Sequence, residues 1–389
     1  MIRCGMSEVD ITPPLGLPIP GYFRPRTATG VLDELRAKAL VVDDGDRKIA
    51  FVVVDAIAVE RPEVERIRRR VEQWTGIAPH HVMVSATHTH TGGPVYRQPP
   101  YDHEEYLSIV VQKAADAIVL ADQRLRPARI GFGREAVKGG SFNRRYFMKD
   151  GTLMTNPGVL NPDIVGPEGP VDDELAVIRV DDADGNPIGV AINFALHLDT
   201  VGGNGYSADY PGHISRMLKR QLGEHAVCLF MPGACGNINH IDVSRQIQNS
   251  PQQIGEAIAR AAIAAHRRIG TADRLRVDAR QTFFRSPLRQ PTDEQLEWAR
   301  RIEEAAQAGE AVADRDVFFA RHWLHLDRSR SETEIEVQTL TVGDIAVVGL
   351  PCELFAEFGL DLKRRSPFNN TIVQTLAGGI HGYVCTRES

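Results

Sequence analysis

The chain has 389 residues, 42% of them hydrophobic and 25% charged, and a formal net charge of −6. That length and apolar content suffice for a sizeable core, and the slight acidity leaves no basic footprint for a nucleic acid. No apolar run approaches the ~20 residues of a membrane helix, and the start, MIRCGMSEVDITPP, has no apolar leader core, so a cytoplasmic protein without membrane insertion is expected.

Residues 10 to 30, DITPPLGLPIPGYFRPRTATG, are crowded with Pro and Gly and predict an irregular segment pinned by packing, of the kind that walls a pocket. LRAKALVVDD and KIAFVVVDA are β-branched runs joined by a polar turn, a predicted hairpin that ends at Asp55. PEVERIRRRVEQWTG, residues 62 to 76, opens on Pro and closes on Gly, the punctuation of a helix, and its arginines read as a solvated face. In VMVSATHTHTGGP, residues 82 to 94, a short apolar strand runs into His88, Thr89, His90 and two glycines. Two residues apart on extended chain, the imidazoles would lie on one side, about 7 Å apart at the backbone, near enough to share a metal ion or a substrate. Such a pair is equally compatible with a structural role.

A helix is expected over about 103–125 and a strand over 127–137. Residues 139 to 171 show little periodicity and read as a long functional loop containing Arg144. ELAVIRV and PIGVAINFALH form a hairpin that delivers His197 to a strand end. A helix opens near Asp209 and Pro211, and AVCLFMPGACGNINH reads as a strand running into a Gly-rich turn with Cys235 and Asn239. Residues 251–269 predict a helix, 274–285 a strand, and 292–328 a charged helical arm or insertion. EIEVQTLTVGDIAVVGLPCE is a third hairpin ending at Glu353, and after a further helix a last strand carries Tyr383. No repeat or low-complexity linker divides residues 1–389, so one large mixed α/β domain is expected, with a mostly mixed or antiparallel central sheet flanked by helices. Five cysteines without a CxxC pair argue against a disulfide framework or thiolate zinc finger.

Strand ends thus carry Asp55, His88 with His90, His197 and Glu353. A hydrolytic zinc site needs about three imidazole or carboxylate ligands and an open position, which two histidines and a glutamate satisfy. The same residues read equally as a helix cap and hydrogen-bonded core histidines.

At this point SATHTHTGGP, DITPP with the later PGY, NFALH, FMPGACGNIN, LPCE and GYVCTRE resemble, in the same order, the motifs of the neutral, non-lysosomal ceramidases, zinc amidases that cleave an N-acyl bond. The resemblance runs from about Ser7 to the end of the sequence and implies one Zn2+ ion on His88 and His197, with Glu353 and the Tyr383 hydroxyl completing the shell. It implies a catalytic role for His90 and places Arg144 at the site, where a fixed cation holds a carboxylate or oxyanion. Where the family has Asp-Val-Ser-Pro, this chain has Asn237, Ile238, Asn239 and His240; Asn239 is no nucleophile, although its amide can donate to an oxyanion. By that resemblance the chain is expected to be a short member, without the separate C-terminal β-sandwich domain of the ceramidases.

The expected activity is hydrolysis of a small-molecule amide by metal-activated water, with His90 delivering the proton to the leaving group and Tyr383 and Asn239 stabilising the oxyanion. The substrate is expected to be smaller and more polar than a sphingolipid, with Arg144 suggesting a carboxylate. Cys235 is a subsidiary candidate nucleophile. An esterase or lactonase on the same site, or a noncatalytic zinc-stabilised module, stays open at this stage, as does assembly into an oligomer.

Overall fold

The structure is a computed structural model and describes residues 1–97, 101–326 and 329–387. Eight strands form the main sheet: β1 (Arg3–Asp10), β2 (Arg36–Asp43), β3 (Lys48–Val54), β4 (Val82–Ala86), β5 (Arg126–Ala136), β6 (Glu174–Asp182), β7 (Pro187–Phe194) and β8 (Val227–Pro232). Their order is β8-β7-β6-β5-β1-β2-β3-β4, with β3 and β4 parallel, β7 and β8 parallel, and every other neighbour antiparallel. A second sheet holds β9 (Val277–Pro287), β10 (Glu332–Val342), β11 (Ile345–Leu350) and β12 (Asn370–Thr375), in that order, and only β11 and β12 run parallel. The fold is the expected mixed α/β domain with a large central mixed sheet, and its seven described helices are α1 (Arg61–Thr75), α2 (Glu104–Gln123), α3 (Tyr210–Leu222), α4 (Pro251–Arg268), α5 (Asp293–Gln307), α6 (Asp314–His325) and α7 (Ala356–Arg365).

The strands read as continuous apolar runs because both faces of the main sheet are covered. Ala37, Ala39 and Val41 of β2 and Ala50, Val52 and Val54 of β3 turn toward α1 and α2, where they meet Val64, Ile67 and Ile118. The alternate set, Leu40, Val42, Ile49, Phe51 and Val53, joins Val277, Leu340, Val347 and Ile372 of the second sheet. Strands β6 to β8 pack their other face on α3 and α4 through Val177, Ile192, Phe230, Ile214 and Ile258. Each fully buried aliphatic side chain contributes ~1.5–3 kcal/mol, so these layers hold the strand ends rigidly in place. β1 meets β5 only at Arg3↔Pro127 and Cys4↔Arg126, so a short seam joins the two halves of the main sheet. The inner faces of its two halves then share one core with the second sheet.

Helix α1 ends as expected, with Gly76 in the left-handed region donating to Glu72 O. Its arginines are not all solvated, contrary to the expectation. Arg68 is 1% exposed: Nη1 and Nη2 donate to the Glu336 carboxylate at 3.0 and 2.9 Å, Nη2 to Gln338 Oε1 at 2.9 Å and Nε to Val82 O at 2.9 Å. Helical periodicity marks the apolar stripe but cannot foresee a charge on β10, 268 residues away. The fork staples α1 and the second sheet to the edge strand that carries His88.

The long segment after β5 is also more ordered than expected. Arg145–Met148 pairs antiparallel with Leu153–Thr155 and Ile164–Pro167, and Phe142–Asn143 pairs with Ile238–Asn239. These strands of two to four residues are too short to leave a periodic signal. The 292–328 region resolves into α5 and α6, with residues 327 and 328 outside the described set. Its outer end meets the Pro-rich segment, where the Phe23 ring lies 5.7 Å from Phe318 and 5.9 Å from Phe319.

Candidate active site

Three parallel strand pairs supply the site, as is usual where carboxyl ends of parallel strands open into a crevice. His88 follows β4, His197 follows β7 and Glu353 follows β11. Tyr383 arrives from the C-terminal segment by direct parallel pairing with Glu353.

His88 is not on extended chain as expected: its φ is 75°, a left-handed turn tied by His88 N to Ala56 O at 2.9 Å. The turn throws alternate side chains to opposite sides. The Thr89 and Thr91 hydroxyls donate to Ser207 O at 2.7 and 3.0 Å, while the His88 and His90 rings enter the site. Asp55, although it stands at a strand end, is no part of this cluster; its Oδ2 accepts from Arg36 N at 2.8 Å and holds neighbouring strand ends together.

Each imidazole is anchored through Nδ1 to a backbone carbonyl: His88 to Ile57 O at 2.7 Å, His90 to Gly21 O at 2.6 Å and His197 to Cys235 O at 3.4 Å. A carbonyl only accepts, so Nδ1 carries the hydrogen in each ring and Nε2 presents a lone pair. Nonetheless His197 Nε2 lies 3.2 Å from His88 Nε2 and 3.1 Å from His90 Nε2. Lone pairs at that separation repel unless a proton or a cation stands between them. A tetrahedral ion roughly 2.0–2.1 Å from the His88 and His197 nitrogens sets that pair about 3.3 Å apart, close to the 3.2 Å seen. Glu353 Oε2 stands 3.2 Å from His88 Nε2 and 4.0 Å from His197 Nε2. The donor set therefore fits a divalent metal.

The electrostatics match that reading. Burial opposes a charge on His88, but the adjacent Glu353 carboxylate outweighs it and raises its pKa. Burial, then the charge of His88, pushes His90 down to about 4 and His197 well below the ordinary imidazole value. Burial alone would raise Glu353, yet His88, His197 and the Tyr383 hydroxyl hold it below the usual carboxylate range. The cluster thus tolerates one positive charge among three rings facing one carboxylate.

Arg144 is brought to the same place. Its Nη2 donates to Gly236 O at 2.6 Å and to the Tyr383 hydroxyl at 3.1 Å, and its guanidinium lies 5.6 Å from the Tyr383 ring centroid. The Tyr383 residue stays 53% exposed, so the phenol faces an open side. Asn239 is buried, and its Nδ2 donates to Asn156 Oδ1 at 2.9 Å while its Oδ1 accepts from Ile241 N at 3.0 Å. One amide hydrogen at most is left for an oxyanion. Cys235 is buried beside the cluster with its thiol pushed up to about 12, which removes the thiolate a nucleophile needs.

Two features escaped sequence reasoning. The Gly21 carbonyl, which fixes the His90 tautomer, belongs to a Pro-rich segment whose composition says only that it is irregular. The second is Asp199, whose charge acts on both His90 and His197; its position two residues after His197 was the available signal.

Comparison with known proteins places this geometry in context. Residues 2–225 match the family model described as neutral/alkaline non-lysosomal ceramidase, N-terminal. The chain is 25% identical to the neutral ceramidase of Pseudomonas aeruginosa over 255 residues, covering 61% of this chain and 37% of that protein. It is 22% identical to neutral ceramidase B of Dictyostelium discoideum over 240 residues, covering 58% of this chain and 32% of that protein. The chain thus aligns with about a third of the length of these relatives. The crystal structure of the P. aeruginosa neutral ceramidase superposes with a TM-score of 0.76 at 19% identity, covering 100% of this chain and 69% of that one, a likeness of fold.

Proposed function

Since the chain belongs to the neutral/alkaline non-lysosomal ceramidase family, we propose that it is a zinc-dependent hydrolase of a carbon–nitrogen amide bond in a small N-acyl substrate. The observation that carries this reading is the convergence of three Nδ1-anchored imidazoles and one carboxylate on a single point. His88, His197 and Glu353 would hold the ion, because the carboxylate stands against those two rings. A zinc ion there would polarise the scissile carbonyl and acidify a water molecule. His90, the most exposed of the three rings, faces the substrate side with Nε2 free to accept a proton at the reacting centre. Tyr383, with Arg144 against its oxygen, would donate to the oxyanion that develops on the carbonyl. The Arg144 cation also favours a substrate bearing a carboxylate and more polar than a sphingolipid.

Metal analysis together with a panel of N-acyl amino acids, simple amides, esters, lactones and short-chain ceramides tests this. One zinc per chain and zinc-dependent amide turnover are expected. Zinc binding without turnover of any panel member would instead identify a noncatalytic module.

A further inference from the structure

Among the buried side-chain atoms without a hydrogen-bond partner, two belong together: Asp199 Oδ1 and His240 Nδ1, which lie 3.5 Å apart. A buried carboxylate oxygen and an imidazole nitrogen left without a partner are destabilising, so the pair needs an account. A small rotation of either side chain turns the 3.5 Å approach into an Nδ1–H···Oδ1 hydrogen bond. The two side chains keep 24% and 15% of their surface exposed, so neither is sealed into the core.

Their place in the fold is specific. Leu198 O, the residue before Asp199, accepts from His90 N at 3.0 Å, which sets Asp199 beside the histidine cluster. His240 follows Asn239, whose backbone pairs with Phe142, two residues before Arg144. The pair therefore bridges the His197 and Arg144 walls of the site. The reaction has a matching need. Cleaving an amide expels an amine, a poor leaving group that departs only if protonated, while His90 is assigned above to take the proton of the attacking water.

We propose that His240, positioned by Asp199, is the acid that protonates the leaving nitrogen. This rests on the amide-hydrolase reading above. Water oxygen bonds to the carbonyl carbon and its proton passes to His90 Nε2. The C–N bond then breaks, its electron pair goes to nitrogen, and nitrogen takes the proton from His240 Nε2. His90 releases a proton to solvent and His240 regains one, so the sum is amide plus water to carboxylic acid plus amine. Asp199 acts as a positioning residue that holds Nδ1–H and aims Nε2.

The test compares an alkyl amide with the p-nitrophenyl ester of the same acyl group, whose leaving group needs no proton. His240→Gln should lower kcat on the amide by ~10²–10³-fold and on the ester by less than ~5-fold, with zinc content unchanged. Asp199→Asn should show the same selectivity at ~10-fold, and carries the test if His240→Gln does not fold. Imidazole should restore amide turnover in His240→Ala. Equal losses on amide and ester, or amide turnover unchanged in both variants, would overturn the assignment. If the wild-type protein hydrolyses neither substrate, it is the amide-hydrolase reading that fails.

Discussion

Substituting Gly21 by alanine isolates the role of the strap that carries it. Gly21 sits at φ +110°, and a Cβ added there would lie 2.9 Å from His90 Nδ1, 3.0 Å from Cγ and 3.1 Å from Cα. Ordinary carbon contacts begin near 3.4 Å, so strap and ring must separate by about half an ångström. His90 is held on one side by Leu198 O and on the other by its approach to His197. The strap is held by Arg26, whose Nη2 donates to His90 O and to Pro20 O and whose guanidinium stacks 4.1 Å above the Tyr22 ring. Displacement therefore falls on the 2.6 Å bond from His90 Nδ1 to Gly21 O, which fixes the tautomer. Backbone strain costs ~1–3 kcal/mol of stability, and a misplaced Nε2 lowers kcat by ~10–100-fold. Gly45→Ala is the control: its φ is +95° with open space around the added carbon, so it should lose stability by strain alone and keep full kcat. Urea unfolding and steady-state hydrolysis with zinc saturating read the two effects. Equal kcat in Gly21→Ala and the wild type would refute a positioning role for the strap.

Other expectations separate the parts of the site and its support. His88→Ala should abolish zinc binding, whereas His90→Ala should keep near-stoichiometric zinc and lose most turnover; loss of zinc in both, by metal analysis, would make His90 a ligand. Arg68→Met should destabilise by about 3 kcal/mol in urea, because Glu336, 3% exposed, loses its bidentate partner and, among the described residues, keeps Arg61 and Gln281. Adding Glu336→Met should recover much of that loss, and strictly additive costs would count against the pairing. Asp55, raised from 3.8 to about 6 chiefly by burial, binds its proton more tightly in the folded chain than in the unfolded one. Its buried charge therefore weakens the fold above pH 6, and stability is regained as pH falls from 7 toward 4, by ~2–3 kcal/mol. Zinc-free wild type should gain that much over Asp55→Asn between pH 7 and pH 4.5; identical pH profiles would contradict it.

Local patterns carried much of this protein into view from sequence. Continuous β-branched runs, Pro and Gly punctuation and capping residues mark β2, β3, β7, β10, α1 and α4 because they act within a few residues. The linear motifs around His88, His197, Glu353 and Tyr383 likewise identify the family and the donor types. What they leave open is which atoms meet. Tertiary packing alone decided that Arg68 is buried, since its partner lies on another sheet, and that the segment after β5 folds into short strands. It also decided the left-handed turn that aims His88, the Gly21 carbonyl that sets the His90 tautomer, and the approach of Asp199 to His240. Each depends on residues tens to hundreds of positions apart, joined by a sheet whose two halves meet at a short seam beside Cys4, and no short-range pattern encodes that distance.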